Sequence, residues 1–273
     1  MQDRYIADEA KVNISSLEAE TVMKSTPVST VTSILGRIGI EYEEGLPKEA
    51  YIAAFKEEFC SEPRWVLLML PKMMLDFLME VWENPVVEMS EERWNYVEYL
   101  KIFGFLAYRM GNSISDEPNQ IIVVDEMKDR FYFLLKSRKS QKALSVYEEW
   151  EKIITGYMYY YGFIKTRTLY SLFLKVSKKV VSYEEFILFI KCRSSMWAFG
   201  AILKDFTGKN EYFQYLSVEN ADLLLTYIRE HEELPYKPVK IEDLIYVSDA
   251  ADKFKAFANA ILPFDITMTQ QIN

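Results

Sequence analysis

The sequence predicts a mainly α-helical protein with small β-hairpins. Glycine and proline are scarce, at 9 residues each among 273, while 50% of the residues are hydrophobic, so long amphipathic helices are favoured over turn-rich β-structure. Residues 91–134 and 182–228 also share one order of elements: a helix, a Phe-Gly turn, an aromatic hairpin and a further helix. A helix followed by a two-stranded hairpin forms the second half of a winged helix. We therefore expect tandem winged-helix-like units, with additional helices at the N-terminal and C-terminal ends.

The N-terminal region is expected to be helical after a polar, frayed stretch at residues 1–14. Pro27 and Pro47 each suit the first turn of a helix, where a missing N–H group leaves no helical hydrogen bond unmade. Gly39 tolerates positive φ and predicts the end of the first of these helices. One face of the second helix is apolar at spacings near 3.6 residues: Ala50, Ile52, Phe55 and Phe59.

The first winged-helix-like unit is expected to contain a helix and a hairpin that follow Ser90. Ser90 is a predicted N-cap, because its side chain can accept a hydrogen bond from the first turn. The apolar positions of this helix fit one buried stripe: Trp94, Val97, Leu100 and Phe103. Residues 106–110 and 121–124 are β-rich and predict the two strands of the hairpin, with a polar loop between them.

The second unit repeats this order after a long helix predicted over residues 140–161. Ser182 and Glu185 form a capping box, Ser-x-x-Glu, in front of the next helix. Residues 196–206 and 212–215 predict the second hairpin, since Gly208 and Asn210 in its turn accept positive φ. The expected organisation is an N-terminal helical unit (1–61), a first winged-helix-like unit (62–138), a second winged-helix-like unit (139–232) and a C-terminal helical arm (233–273).

Several segments together resemble a group of uncharacterised bacterial proteins. They are TPVSTVTSILGRIGI with LPKEAYIAAFKEEF, VYEEWEKIITGYMYYYGFIKTRTLYSLF, and ELPYKPVKIEDLI followed by KFKAF. In that group, a short helical unit like the N-terminal helices of Rho precedes winged-helix-like repeats, and some members end in a cysteine-rich zinc segment. The present chain ends in FDITMTQQIN and lacks that segment. The resemblance implies a fold and carries no activity.

Histidine and cysteine, two residue types that often carry catalysis or bind metal, are rare. His231 is the single histidine, and Cys60 and Cys192 have no spacing that suggests a disulfide framework or a zinc site. Gly208-Lys209 lacks the upstream glycine and the following Ser or Thr of a phosphate-binding loop. Adjacent carboxylates lie on predicted solvent faces beside Lys and Arg. We therefore expect a protein that is not an enzyme, with no cofactor and no metal.

The charge and the apolar pattern favour a cytoplasmic protein. The formal net charge is −9, which suits solubility and argues against strong general affinity for nucleic acid. The N-terminal residues have neither the basic cluster nor the apolar run of a secretory signal. The longest apolar stretch, residues 65–82, is interrupted by Pro71, Lys72, Asp76 and Glu80, so a membrane span is not expected.

The charge is unevenly distributed, with a basic band at residues 128–179. This band holds twelve Lys or Arg and four Asp or Glu, a local charge of +8. Tyrosines at 157 and 159–161 interleave with the basic residues, a combination that suits phosphate contacts and base stacking. The candidate nucleic-acid-binding residues are Lys136, Arg138, Lys139, Lys142, Lys165, Arg167, Lys175, Lys178 and Lys179.

Two functions are consistent with these patterns. The first is a non-enzymatic binding protein that docks a protein partner through its winged-helix-like units. It is favoured because the helices that would read DNA begin with acids, Glu91-Glu92 and Glu184-Glu185, which phosphates repel. The alternative is a nucleic-acid-associated regulator that uses the basic band. An enzyme with an unrecognised site, and an acidic mimic that blocks a nucleic-acid-binding factor, remain further alternatives.

Overall fold

The computed structural model describes residues 9–62, 64–111, 117–177, 179–196, 199–205, 207–215, 218 and 225–226. The predicted C-terminal arm (233–273), Lys178 and His231 lie outside the described residues. Within them the chain is mainly helical with two small sheets, so the predicted class is confirmed. The helices are α1 Ala19–Met23, α2 Val28–Ile38, α3 Lys48–Ser61, α4 Arg64–Met69, α5 Lys72–Glu83, α6 Glu91–Ile102, α7 Asp125–Lys136, α8 Arg138–Tyr161, α9 Thr166–Val176 and α10 Tyr183–Met196. The strands are β1 Glu9–Ser15, β2 Val86–Glu88, β3 Leu106–Arg109, β4 Gln120–Val124, β5 Phe163–Lys165, β6 Ala201–Lys204 and β7 Glu211–Gln214.

The predicted helix signals set the observed helix ends. Ser90 Oγ accepts a hydrogen bond from Arg93 N at 3.2 Å at the start of α6. Ser182 Oγ accepts one from Glu185 N at 3.1 Å at the start of α10. Gly39 ends α2 in the left-handed region, with φ of 80°. These three predictions are confirmed, because each depends on a backbone need that a local residue type can meet.

The first sheet has the strand order β2-β1-β4-β3. Its second strand is β1, which pairs antiparallel with β2 and parallel with β4. The prediction of a frayed stretch over residues 1–14 is therefore wrong for residues 9–14. The segment Glu9–Ser15 alternates polar and apolar residues, which is the pattern of a half-buried strand. β1 thus links the N-terminal region to the hairpin of β3 and β4.

The second sheet is antiparallel, with the order β5-β7-β6. Phe213 in the central strand lies between Ile164 of β5 and Ile202 of β6. The helices α8, α9 and α10 surround these strands in sequence, so β5 follows α8 directly and the hairpin follows α10.

The two predicted repeats match in part of their length. Each contains a Phe-Gly turn with a buried phenylalanine, Phe103 before Gly104 and Phe199 before Gly200. The two regions differ in what precedes the equivalent helices α6 and α10. Helix α9 lies between β5 and α10, whereas only Met89 and Ser90 separate β2 from α6. The similarity is therefore strongest in the helix, turn and hairpin from which the repeat was inferred.

One hydrophobic cluster runs through the helices of all the described regions. Its aromatic centre is Phe59 of α3, which has four phenylalanine neighbours in the preceding turn of α3, after α6 and in α7. These neighbours are Phe55, Phe103, Phe105 and Phe131. Helix α10 packs against α2 and α4, so a late helix of the described chain contacts helices of its N-terminal region.

Asp205 lies in the hairpin turn between β6 and β7, where hydrogen bonds to its carboxylate give it a low pKa. Its carboxylate accepts hydrogen bonds from Thr207 Oγ1 at 2.8 Å, Asn210 Nδ2 at 2.7 Å and the backbone N–H of Lys209 at 3.1 Å. The bonds from Asn210, first, and from Thr207 lower the pKa of Asp205 from 3.8 to about 2. Because the folded pKa is lowered, the stabilisation is present above pH 3.8 and is lost as the pH falls towards 2.

We expect the carboxyl carbon of Asp205 to keep the chemical shift of an ionised group at pH 3.8, when followed by ¹³C NMR from neutral to acid pH. The variants Thr207→Ala and Asn210→Ala each remove one donor and are expected to move the midpoint up towards the ordinary value. A wild-type midpoint at the ordinary value would contradict this account of the turn.

Candidate functional site

The structure divides the predicted basic band into residues that have partners and residues that do not. Lys136 Nζ lies 2.5 Å from Glu83 Oε1 and 4.6 Å from the centre of the Tyr132 ring. Its hydrogen bond to Glu83 raises the pKa of Lys136 and lowers that of Glu83. Lys136 is thus neutralised within the molecule and is a weak candidate for an external anion.

Lys165 and Arg167 lie beside aromatic rings near the C-terminal end of α8. Lys165 Nζ is 5.9 Å from the centre of the Tyr212 ring, and Arg167 Cζ is 4.7 Å from that of Tyr183. These cation–π contacts hold both side chains against the second sheet and α10. They are separate from the cations at the N-terminal end of α8.

The remaining five described candidates are exposed, and within the described chain none of them has an ion pair. Arg138, Lys139 and Lys142 lie on the first two turns of α8, Lys175 is in the last turn of α9, and Lys179 follows α9. The exposed Tyr159 and Tyr160 are near the other end of α8, roughly 25 Å along its axis from Lys142. Although the sequence interleaves tyrosines and cations, α8 separates these two tyrosines in space from Arg138, Lys139 and Lys142.

A groove of about 250 Å³ brings Lys142 and Lys179 together. We call this the α8–α10 groove. One wall is a stripe of α8 that runs from Lys142 to Trp150, and the other is the segment Lys179–Val181. Glu185 of α10 contributes the single acidic side chain of the groove lining. The sequence grouped both lysines in the basic band, but it could not show that they face one groove.

The floor of the α8–α10 groove is aromatic and tightly packed. Tyr147 stacks on Phe189 with ring centres 5.5 Å apart, and Trp150 meets the same phenylalanine edge-on at 5.5 Å. Trp150 is only 4% exposed. Burial, together with the nearby Glu185 carboxylate, raises the pKa of Tyr147, so its hydroxyl stays protonated at neutral pH. The floor is thus formed by aromatic side chains that pack on one another.

Helix α10 is enclosed on most of its circumference. Its buried residues are Phe186, Ile187, Phe189, Ile190, Cys192 and Arg193. The helices that cover it include α2 and α4, which belong to the N-terminal region. Only its first turn presents exposed acidic side chains, those of Glu184 and Glu185.

Arg193 is a buried cation that the sequence analysis did not single out. It is 1% exposed, and its Nε lies 3.5 Å from Glu151 Oε2 of α8. Its Nε and Nη1 atoms make no hydrogen bond, and its guanidinium lies 5.3 Å from the centre of the Phe189 ring. Burial raises the pKa of Glu151, although the Arg193 charge opposes this. The sequence contained one indication of this burial, because Arg193 follows Phe189 by one turn on the apolar stripe of α10.

The described residues contain no group of three or more His, Cys, Asp or Glu placed to hold a metal ion. Cys192 is buried, and burial raises the pKa of the half-buried Cys60 thiol, which disfavours the reactive thiolate.

In the part of the chain that the structure describes, no helix has the length and apolar character needed to cross a bilayer.

Comparison of the chain with protein-family models, with curated proteins and with solved structures finds no match.

Proposed function

We propose that the protein is a non-enzymatic binding protein that docks a protein partner through winged-helix-like units. The element order α8-β5-α9-α10-β6-β7, with the antiparallel strand order β5-β7-β6, supports such a unit in the second half of the described chain. A winged helix has a first helix and strand, two further helices and a closing hairpin. In that arrangement α10 is in the position of the helix that reads DNA in many members of the class.

The observation that carries the proposal is the enclosure of α10. A recognition helix must present one face to the major groove, yet α10 is covered by α2 and α4 and buries six of its residues. Its exposed first turn carries Glu184 and Glu185, which would repel phosphates. Beside α10, the α8–α10 groove combines aromatic side chains with the charged side chains of Lys142, Lys179 and Glu185, a mixture that supports a protein partner.

A nucleic-acid-associated regulator is the second candidate, and one observation favours it. Five cations of the basic band are exposed without an ion pair among the described residues: Arg138, Lys139, Lys142, Lys175 and Lys179. Five phosphate contacts would give a binding constant that falls steeply with salt, by a log–log slope of roughly −4.5 for duplex DNA.

Affinity capture from lysate of the source cells, with and without nuclease, tests the proposal together with direct binding of labelled DNA and RNA. We expect a protein partner that survives nuclease treatment, and no retention of either nucleic acid at low salt. One variant reverses the five cations to Glu, and a control variant reverses only Lys152, which pairs with Glu148 on α8. Salt-dependent nucleic-acid binding that the first variant loses and the second keeps would instead establish the alternative.

A further inference from the structure

We infer that the α8–α10 groove binds an acidic peptide segment of the partner that also carries an apolar side chain. This inference rests on the proposed function and names the chemistry of the partner. The first reason is charge. Lys142 and Lys179 both line the groove, both are exposed, and neither has an ion pair within the described residues. Arg138 lies one turn before Lys142 on the same face of α8, which places a third cation near Lys142.

The second reason is the apolar surface between the two lysines. Val180 is 97% exposed, which is the largest exposure among the large hydrophobic residues that the structure describes. It lines the groove beside Lys179, and the half-buried Val146 lines the wall of α8. A partner side chain that covers Val180 would remove this apolar surface from water, and the adjacent lysines would bind the carboxylates that flank that side chain.

The third reason separates a peptide from a nucleic acid. One face of the Tyr147 ring is stacked on Phe189 and Trp150 is almost fully buried, so the groove offers little aromatic surface on which a base could stack. Glu185 of α10 lines the groove near Tyr147. Tyr147 is about one and a half turns along α8 from Lys142. A polyanion that followed the groove would meet this carboxylate. A peptide can instead place its acids near the lysines and backbone N–H groups near Glu185.

The size of the groove also limits its occupant. A volume of about 250 Å³ is below the usual range for cofactor and drug-sized ligands, which begins at roughly 300 Å³. It suffices for one large apolar side chain with its neighbouring backbone, so the walls supply the rest of the contact. This fits a short linear segment better than a small molecule.

Selection of a random peptide library on the full chain tests the inference. We expect the enriched peptides to combine Asp or Glu with an aliphatic or aromatic residue. A fluorescein-labelled peptide from the selection is then measured by anisotropy at low and high ionic strength. The variant Lys142→Glu with Lys179→Glu is expected to weaken binding at low salt by about tenfold or more, and Val180→Asp by a similar factor. Lys152→Glu, a single charge reversal on α8 outside the groove, is expected to leave affinity within about twofold.

Circular dichroism and urea unfolding establish that each variant is folded. The milder variant Lys142→Gln with Lys179→Gln is expected to lose an intermediate amount of peptide affinity. Enriched peptides without acids, or equal affinity for the Lys142→Glu, Lys179→Glu variant, would overturn the inference. Loss of a dimer in that variant would assign the groove to a second copy of the chain and would also overturn it. If this variant still captures the nuclease-resistant partner, the proposed function stands and the inference fails. If the wild type captures no such partner, the proposed function fails.

Discussion

Replacing Phe59 with alanine is expected to lower the free energy of unfolding by about 4 kcal/mol. Phe59 is fully buried and its ring centre lies 5.1 Å from those of Phe55 and Phe103. It also contacts Phe105 and Phe131, at 6.1 and 5.9 Å. Because these rings are held by α3, by the turn after α6 and by α7, they cannot all move to fill the space that the lost ring leaves. The cavity therefore adds to the lost transfer free energy.

Equilibrium urea unfolding followed by tryptophan fluorescence measures this change. Phe133→Ala is the matched control, because Phe133 is 79% exposed and contacts mainly its neighbour Tyr132. We expect the control to change the free energy of unfolding by less than about 0.5 kcal/mol. Equal losses in the two variants would show that the aromatic cluster around Phe59 does not stabilise the fold as described.

Gly104→Ala is expected to lower the free energy of unfolding by about 3 kcal/mol, from backbone strain and overpacking together. Gly104 has a φ of +75°, and its N–H donates to Lys101 O as α6 ends. A Cβ atom there would lie 2.8 Å from Ala19 Cβ and 3.0 Å from Ala19 Cα. The obstacle is the backbone of α1, so a side-chain rotation cannot relieve the contact.

Gly36→Ala provides the comparison for this prediction. Gly36 is inside α2, and nothing lies within 4 Å of the Cβ atom that alanine would add. Alanine favours a helix interior over glycine by roughly 0.5–1 kcal/mol, so this variant is expected to be more stable than the wild type. Thermal unfolding of the two variants should shift the midpoint in opposite directions. A Gly104→Ala variant as stable as the wild type would contradict the close approach of α1 to this turn.

The sequence could predict those elements whose signals are local. The capping serines Ser90 and Ser182 and the helix end at Gly39 were found because each residue meets a need of its own backbone. The β1 strand was missed, although its seven residues alternate in polarity. Its partners β2 and β4 are distant in the sequence, so no turn between them indicated the pairing.

The composition of the sequence predicted which residues could form the candidate site, but it did not predict how they are arranged in space. Local charge identified Lys142 and Lys179, but the groove that joins them depends on how α8, the segment after α9 and α10 pack together. Local charge also grouped Lys136 with them. Its partner Glu83 lies 53 positions earlier in the chain, so no local pattern indicates the ion pair. Arg193 was passed over for the related reason that burial of a charged residue depends on tertiary contacts.

The place of β1 in the first sheet sets the order in which a nascent chain can complete that sheet. β1 ends at Ser15, and its parallel partner β4 begins at Gln120. At a synthesis rate of about 5–20 residues per second, β1 waits roughly 5–20 seconds for this partner. A chain arrested before β4 would hold β1 paired with β2 alone, with its other edge open to any strand that meets it. The strand made first is thus enclosed late, and the speed of translation determines how long that edge stays exposed.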